Sequence, residues 1–389
     1  MRSNRSISTR RGNNMAGFTL VELLVAMSIF GVVSAAAFGL VAQSQPLFNQ
    51  QQGLAALNIA VRNATAQMQI DVVNGGSNFY NGINIPNWPV GVVVVNNTPG
   101  SDCETSTTTY IYGASCFDSM NIITSDPNTV PSNTSDGTLA AGCHVTTGTT
   151  VYLSPTSANP AGSGYPTLAA ATAAAANFKF NAGVNPDQIL FVKGDGSLYT
   201  TAVLTASPVA ATISGRFYVQ LTHGATNANG TNSSTTNDPV QITVNQDTAA
   251  GTYQNTMLSD SYCPSDYVIR LTPILYSVDT TTNPSDPTLI RREPGSATPT
   301  VQMLAEQIIG FKVMVTLYND PAGNVFHWKN SDYLNNYTMV RSVRISLIGR
   351  TVPSTAPTYV FRNTFDTGPY QVQGVSVTIN PRNMSMGDN

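Results

Sequence analysis

The stretch Gly17–Leu40, GFTLVELLVAMSIFGVVSAAAFGL, decides how the rest of the chain is read. From Phe18 to Ala42 the only charged residue is Glu22. A run of about 25 apolar residues, rising ~1.5 Å per residue as a helix, crosses a ~30 Å hydrocarbon core. The residues before it, MRSNRSISTRRGNNMAG, contain Arg2, Arg5, Arg10 and Arg11 and no acid. A basic flank of this kind keeps its end on the cytoplasmic side, so the remainder of the chain lies beyond the membrane.

Glu22 is what a plain signal or anchor does not explain, because an isolated acid in lipid costs about 2.5–3.5 kcal/mol. A secretory signal would be cut after the run, where SAAAFG (34–39) offers small residues. A signal anchor would stay uncut. A cut between Gly17 and Phe18 would instead create an amine at Phe18, about one helical turn from Glu22. The acid then gains a partner on its own or a neighbouring chain.

Gly17-Phe18-Thr19-Leu20-Val21-Glu22 resembles the class III leader junction of type IV prepilins and type II secretion pseudopilins. The resemblance implies that a prepilin peptidase removes residues 1–17 and that Phe18 is N-methylated. It also implies that Glu22 meets the N-terminal amine of the adjoining subunit during assembly. The likeness is confined to the junction and the apolar run.

Beyond Pro46, which should bend a helix without necessarily ending it, Leu54, Leu57, Val61, Ala64, Met68 and Val72 recur at spacings of three and four. They form one apolar stripe, and Asn74-Gly75-Gly76 supplies a stop. The sequence therefore predicts a helix over 18–74, with 18–42 in the membrane, and a β-rich domain over 75–389. There, short β-branched runs alternate with Gly, Pro, Asn and Ser clusters. Strands are expected at 90–95, 107–112, 151–153, 188–193, 197–204, 216–222 and 267–275. Pro273 marks the last of these as an edge or a bulge. A short helix is expected in the alanine-rich span 166–177, started by Pro166. Residues 301–309 read as helical or irregular. Phe311/Val313/Val315/Leu317, Val343/Ile345/Leu347 and Val375/Val377/Ile379 alternate with other side chains as strands of an antiparallel sheet with one buried face. The helix stripe is its natural cover, giving an α+β fold.

ILYSVD (274–279), Arg291-Arg292, LAEQIIGFKVMV (304–315), Trp328, VRSVRISLIGRT (340–351) and VSVTINPRN (375–383) are similar to the C-terminal half of PilW-type minor pilins. On that likeness, 96–265 is a large β-rich insertion. It carries Cys103, Cys116 and Cys143, and Cys263 near its end. An even cysteine count in an exported chain favours disulfides, with three connectivities open. Cys103 and Cys116 flank one expected strand and would close a short loop, leaving Cys143 for Cys263.

Little else signals chemistry. Only 10% of residues are charged and the net charge is −3, which suggests no nucleic-acid partner. No C-x-x-C pair, Walker A loop, H-E-x-x-H, G-x-S-x-G or EF-hand loop occurs. His144, His223 and His327 are isolated in sequence, and Asn319-Asp320 and Ser135-Asp136-Gly137 are ordinary turn sequences that calcium also uses. No catalytic residue, metal or cofactor is implied. The resemblance implies a minor pilin that primes, caps or modifies a type IV pilus. Its partners would be other pilin subunits through the N-terminal helix, the prepilin peptidase, and the inner membrane before export to the extracellular filament. The same features leave open a tip adhesin or DNA-uptake subunit reading a ligand through 96–265, and a pseudopilin of a type II secretion system.

Overall fold

The computed structural model describes residues 19–77, 91–95, 117–126, 129, 132–136, 142–145, 148–178, 188–194, 198–223, 245–247, 252–254, 261–293, 300–317, 320–323, 325–328, 340–354, 359, 361–364 and 367–382. Helix α1 runs unbroken over Leu20–Val73, with Pro46 inside it. The chain divides into two compact units, Met1–Gly53 and Leu54–Asn389.

In the second unit the strands follow in order. They are β1 Val92–Val95, β2 Ser119–Ser125, β3 Ser132–Ser135, β4 His144–Val145 and β5 Thr150–Pro155. After helix α2, Leu168–Ala175, come β6 Gln188–Val192, β7 Leu198–Val203, β8 Val209–Ile213, β9 Arg216–Thr222, β10 Asn245–Asp247 and β11 Thr252–Gln254. The last are β12 Ser261–Tyr262, β13 Tyr267–Asp279, β14 Thr288–Glu293, β15 Thr300–Ala305, β16 Ile308–Leu317, β17 Val340–Arg350 and β18 Val372–Ile379. A thirteen-stranded sheet has the path β11-β10-β7-β6-β13-β3-β5-β9-β8, with β1, β2, β14 and β15 branching from β13. β16-β17-β18 form a three-stranded antiparallel sheet, and β12 pairs with β4.

The helix period and the sheet alternation meet in one core. Leu57, Val61, Ala64, Met68 and Val72 of α1 are buried with Phe311, Val313, Val315, Val343, Ile345, Leu347 and Ile379 of the smaller sheet. Leu54 is half-buried at the edge of the stripe. The approach is close. A Cβ on Gly349 would lie 2.7 Å from Leu57 Cδ1 and 3.2 Å from Val61 Cγ2, so only glycine leaves the helix room. Gly349→Val is expected to cost about 1–3 kcal/mol by overpacking, read as a lower denaturation midpoint. α1 ends where Gly76 takes φ +73°, a conformation glycine adopts without strain. The backbone N–H of Arg382, just past β18, donates to the Val73 carbonyl at 3.3 Å and completes the helix end.

Several local expectations change. The 301–309 segment is strand β15 followed by the start of β16, because β14 supplies a ladder partner from Leu289 to Glu293 and pairing outweighs the helix-forming residues. β13 is a central strand. On one side it bonds β6 through Tyr267–Leu271 and β14 through Leu275–Asp279, and Pro273 falls between the two, where that side has no partner. α2 is capped by Thr167, whose Oγ1 accepts from Ala170 N at 3.1 Å, and Pro166 stands before the cap. The strand expected at 107–112 lies outside the described residues. Strands within 96–265 are woven into the large sheet, β2, β3 and β6 bonding directly to β13. A second core packs Val151, Leu153, Ile189, Phe191, Val219 and Leu221 of that sheet with Tyr262 of β12.

Candidate functional site

The N-terminal end of α1 is built around Thr19 and Glu22. Thr19 N donates to Glu22 Oε2 at 3.0 Å, Thr19 Oγ1 donates to the same oxygen at 2.9 Å, and Glu22 N donates to Thr19 Oγ1 at 3.3 Å. This is a reciprocal capping box, in which the third helical residue returns a carboxylate to the N-cap and the N-cap hydroxyl serves the helix. The Thr-x-x-Glu spacing is itself the local sequence signature of this box. Gly17 and Phe18 lie outside the described residues. After the box the helix is apolar on every side and uncovered, with Phe30 73% and Phe38 75% exposed. It is long and apolar enough to cross a membrane. Such a surface is unstable in water and is covered by lipid or by other chains.

Residues 12–38 match the prokaryotic N-terminal methylation motif. A motif of this kind marks a type IV prepilin-like leader and the start of the helix that follows it. No curated protein and no solved structure matches the chain. The leader indicates a type IV pilin-like or pseudopilin protein processed by a prepilin peptidase, and with the apolar helix it fits a membrane-anchored chain.

Downstream of the leader the other polar clusters sit inside the second unit. Asp71, in the last turn of α1, accepts from Tyr276 Oη of β13 and, at 2.7 Å, from Arg291 Nε of β14. Arg291 also pairs with Glu293. A carboxylate at a helix C-terminus opposes the helix dipole, and here the guanidinium offsets it. Burial, with the Asp71 carboxylate beside it, raises the Tyr276 hydroxyl far above its ordinary range. This lock joins residues 205 and 220 positions apart, so spacing alone could not reveal it. Its one sequence sign is an acid adjoining the apolar stripe.

The structure brings together two histidines that looked isolated. His144 and His223 are buried, with Nε2 atoms 3.0 Å apart, and both rings pack on Phe191. A disulfide joins Cys143 to Cys263, beside the paired His144 and Tyr262. Such a bridge typically contributes about 2–4 kcal/mol. Cys103 and Cys116 lie outside the described residues. Burial, and then His223, lower the His144 pKa to about 4 from 6.5, so His144 stays neutral in the folded protein while it takes up a proton in the unfolded chain. Stability is then complete above pH ~6.5 and falls as pH drops towards ~4, by about 3 kcal/mol in all. Urea midpoints measured against pH should show this loss, and His144→Gln should flatten it. An unchanged slope in that variant would assign the acid sensitivity to other groups.

Asp320 is engaged as well. His327 Nε2 lies 2.7 Å from its Oδ2, and Ala322 N donates to its Oδ1 at 2.9 Å. The His327 hydrogen bond holds this carboxyl below its usual range. Among the described residues no three His, Cys, Asp or Glu side chains are placed to hold a metal. Of the arginines near the C-terminal strands, Arg350 is buried, its Nε donating to Gln307 Oε1 at 2.7 Å and its Nη2 to the Ser285 carbonyl at 2.9 Å.

Proposed function

We propose that this chain is a minor subunit of a type IV pilus, most like the PilW type, acting as a structural component and not as an enzyme. Residues 1–17 are the leader, cut between Gly17 and Phe18, and Phe18 is then N-methylated. Residues 18–42 hold the chain in the inner membrane until assembly, and the second half of the helix carries the β-rich domain. In the filament, other pilin subunits cover the apolar helix and an N-terminal amine replaces Thr19 as the partner of Glu22. The observation that carries this reading is the uncovered apolar helix with its one carboxylate held at the start.

Intact-mass analysis of membrane-extracted protein tests it. The expected species begins at methylated Phe18. A soluble product trimmed near Ser34–Phe38 would indicate a secretory signal, and an uncut chain a signal anchor. A pseudopilin of a type II secretion system shares this N-terminal chemistry. Recovery in surface pili, and not in a secretion complex, supports the pilus. Adhesion or DNA uptake through 96–265 is a further role that binding assays on the intact subunit address.

A further inference from the structure

Among the described residues β15 is an edge strand. It bonds only β14 there, and Val301, Gln302 and Met303 are all exposed, Met303 by 67%. The segment Thr300–Ala305, TVQMLA, contains no lysine, proline or charge. Those are the devices that normally keep an edge strand from pairing with another chain. Behind it the hairpin is fixed, since Arg291 of β14 is tied to Asp71 of α1 and to Glu293.

One cation lies on the face that carries the exposed Val301 and Met303. Arg292 is the cross-strand partner of Val301, on the same face as Ile290 and Met303. Its Nε is buried and has no hydrogen-bond partner. A buried guanidinium N–H left unpaired is costly, and a carboxylate is its best acceptor. From the structure we infer that β15 is a docking edge for an extended segment of another protein. That segment adds as the next strand and carries a glutamate between apolar residues. Its position opposite Val301 lies about 10 Å from the Arg292 backbone, two strand spacings away, within joint reach of the two side chains. Ladder hydrogen bonds provide affinity, Val301 and Met303 provide apolar cover, and Arg292 selects the acid.

A second copy of this strand does not meet the requirement. Antiparallel self-pairing relates the strands by a two-fold axis normal to the sheet, so residues of one face meet their own kind. On this face those are Val301 and Met303, neither of which is acidic. The inference rests on β14 and β15 alone and is independent of the filament reading.

The test uses the full chain in nanodiscs and fluorescein-labelled hexapeptides, read by anisotropy. The probes are Thr-Val-Glu-Val-Thr-Val, its Gln-for-Glu counterpart, and two Glu forms N-methylated at alternate amides, one for each register. The Glu probe is expected to bind about tenfold tighter than the Gln probe, as one charge-assisted hydrogen bond warrants. Arg292→Gln should abolish that preference, and N-methylation on the ladder side should abolish binding. Met303→Glu, at an exposed position that leaves folding intact, should repel the acidic probe. Lack of saturable binding, equal binding of the Glu and Gln probes, or full binding by both N-methylated forms would overturn the proposal.

Discussion

Chains carrying Glu22→Ala are expected to reach the membrane at normal levels but to be recovered from sheared filaments at no more than about a tenth of the wild-type amount. Two effects act at once, and the structure separates them. The first is local. Alanine removes the return half of the Thr19–Glu22 capping box, which weakens the first helical turn by about 0.5–2 kcal/mol. The second arises in the filament, where an N-terminal amine buried among apolar helices would lose its counter-charge. Breaking one member of a buried charge pair costs about 3–5 kcal/mol, more than the local term. Glu22→Gln distinguishes them, because glutamine also closes a capping box but cannot neutralise an amine. The glutamine variant should therefore assemble nearly as poorly as alanine. If it enters filaments normally, the carboxylate serves only the helix start. If either variant disappears from the membrane fraction, its role is in folding or retention.

The largest stability effect is expected at the other end of the helix. Asp71→Ala removes the acceptor shared by the half-buried Arg291 guanidinium and the buried Tyr276 hydroxyl, and leaves Arg291 with Glu293 alone. A loss of about 3 kcal/mol follows, the low end for breaking a buried pair, because Glu293 still partners the guanidinium. Tyr276→Phe removes one donor and leaves the ion pair, so its cost should be near 1 kcal/mol. The double replacement Asp71→Leu, Arg291→Met takes away both charges and should recover much of the deficit, because paired burial is itself expensive. Denaturant midpoints of the four proteins decide the matter. A single Asp71→Ala change within about 1 kcal/mol of wild type would show that water reaches the site and that the lock is weak.

What could be read from the sequence follows from the range of each signal. The stripe from Leu57 to Val72 and the alternation in 311–317 and 343–347 are local patterns, and both face the core they predict. Arg216–Thr222 was read to the residue as a strand for the same reason. β15 was misread because VQMLAE favours helix locally, and its strand state depends on a ladder partner across a turn. Pro273 was read as an edge marker. The strand is central, yet it changes partners at that residue, a fact of topology that composition does not encode. The histidine pair and the Asp71 lock required distant segments to be brought together. Glu22 was found by its cost in lipid, while its hydrogen bonds to Thr19 went unread although they lie three residues apart.

The backbone bond from Arg382 to Val73 bears on timing. The seat for residues 57–73 includes strands as far along the chain as the one ending at Ile379, which are synthesised long after the helix. Until they arrive, Leu57, Val61, Met68 and Val72 have no complete surface to bury against. Contacts this distant in sequence form slowly and leave apolar surface exposed meanwhile. On the membrane-anchored reading, the protein would have a vulnerable interval between synthesis of the helix and completion of its domain. A chain stopped just before β18 should be degraded at the membrane even though its leader, apolar run and Glu22 are intact.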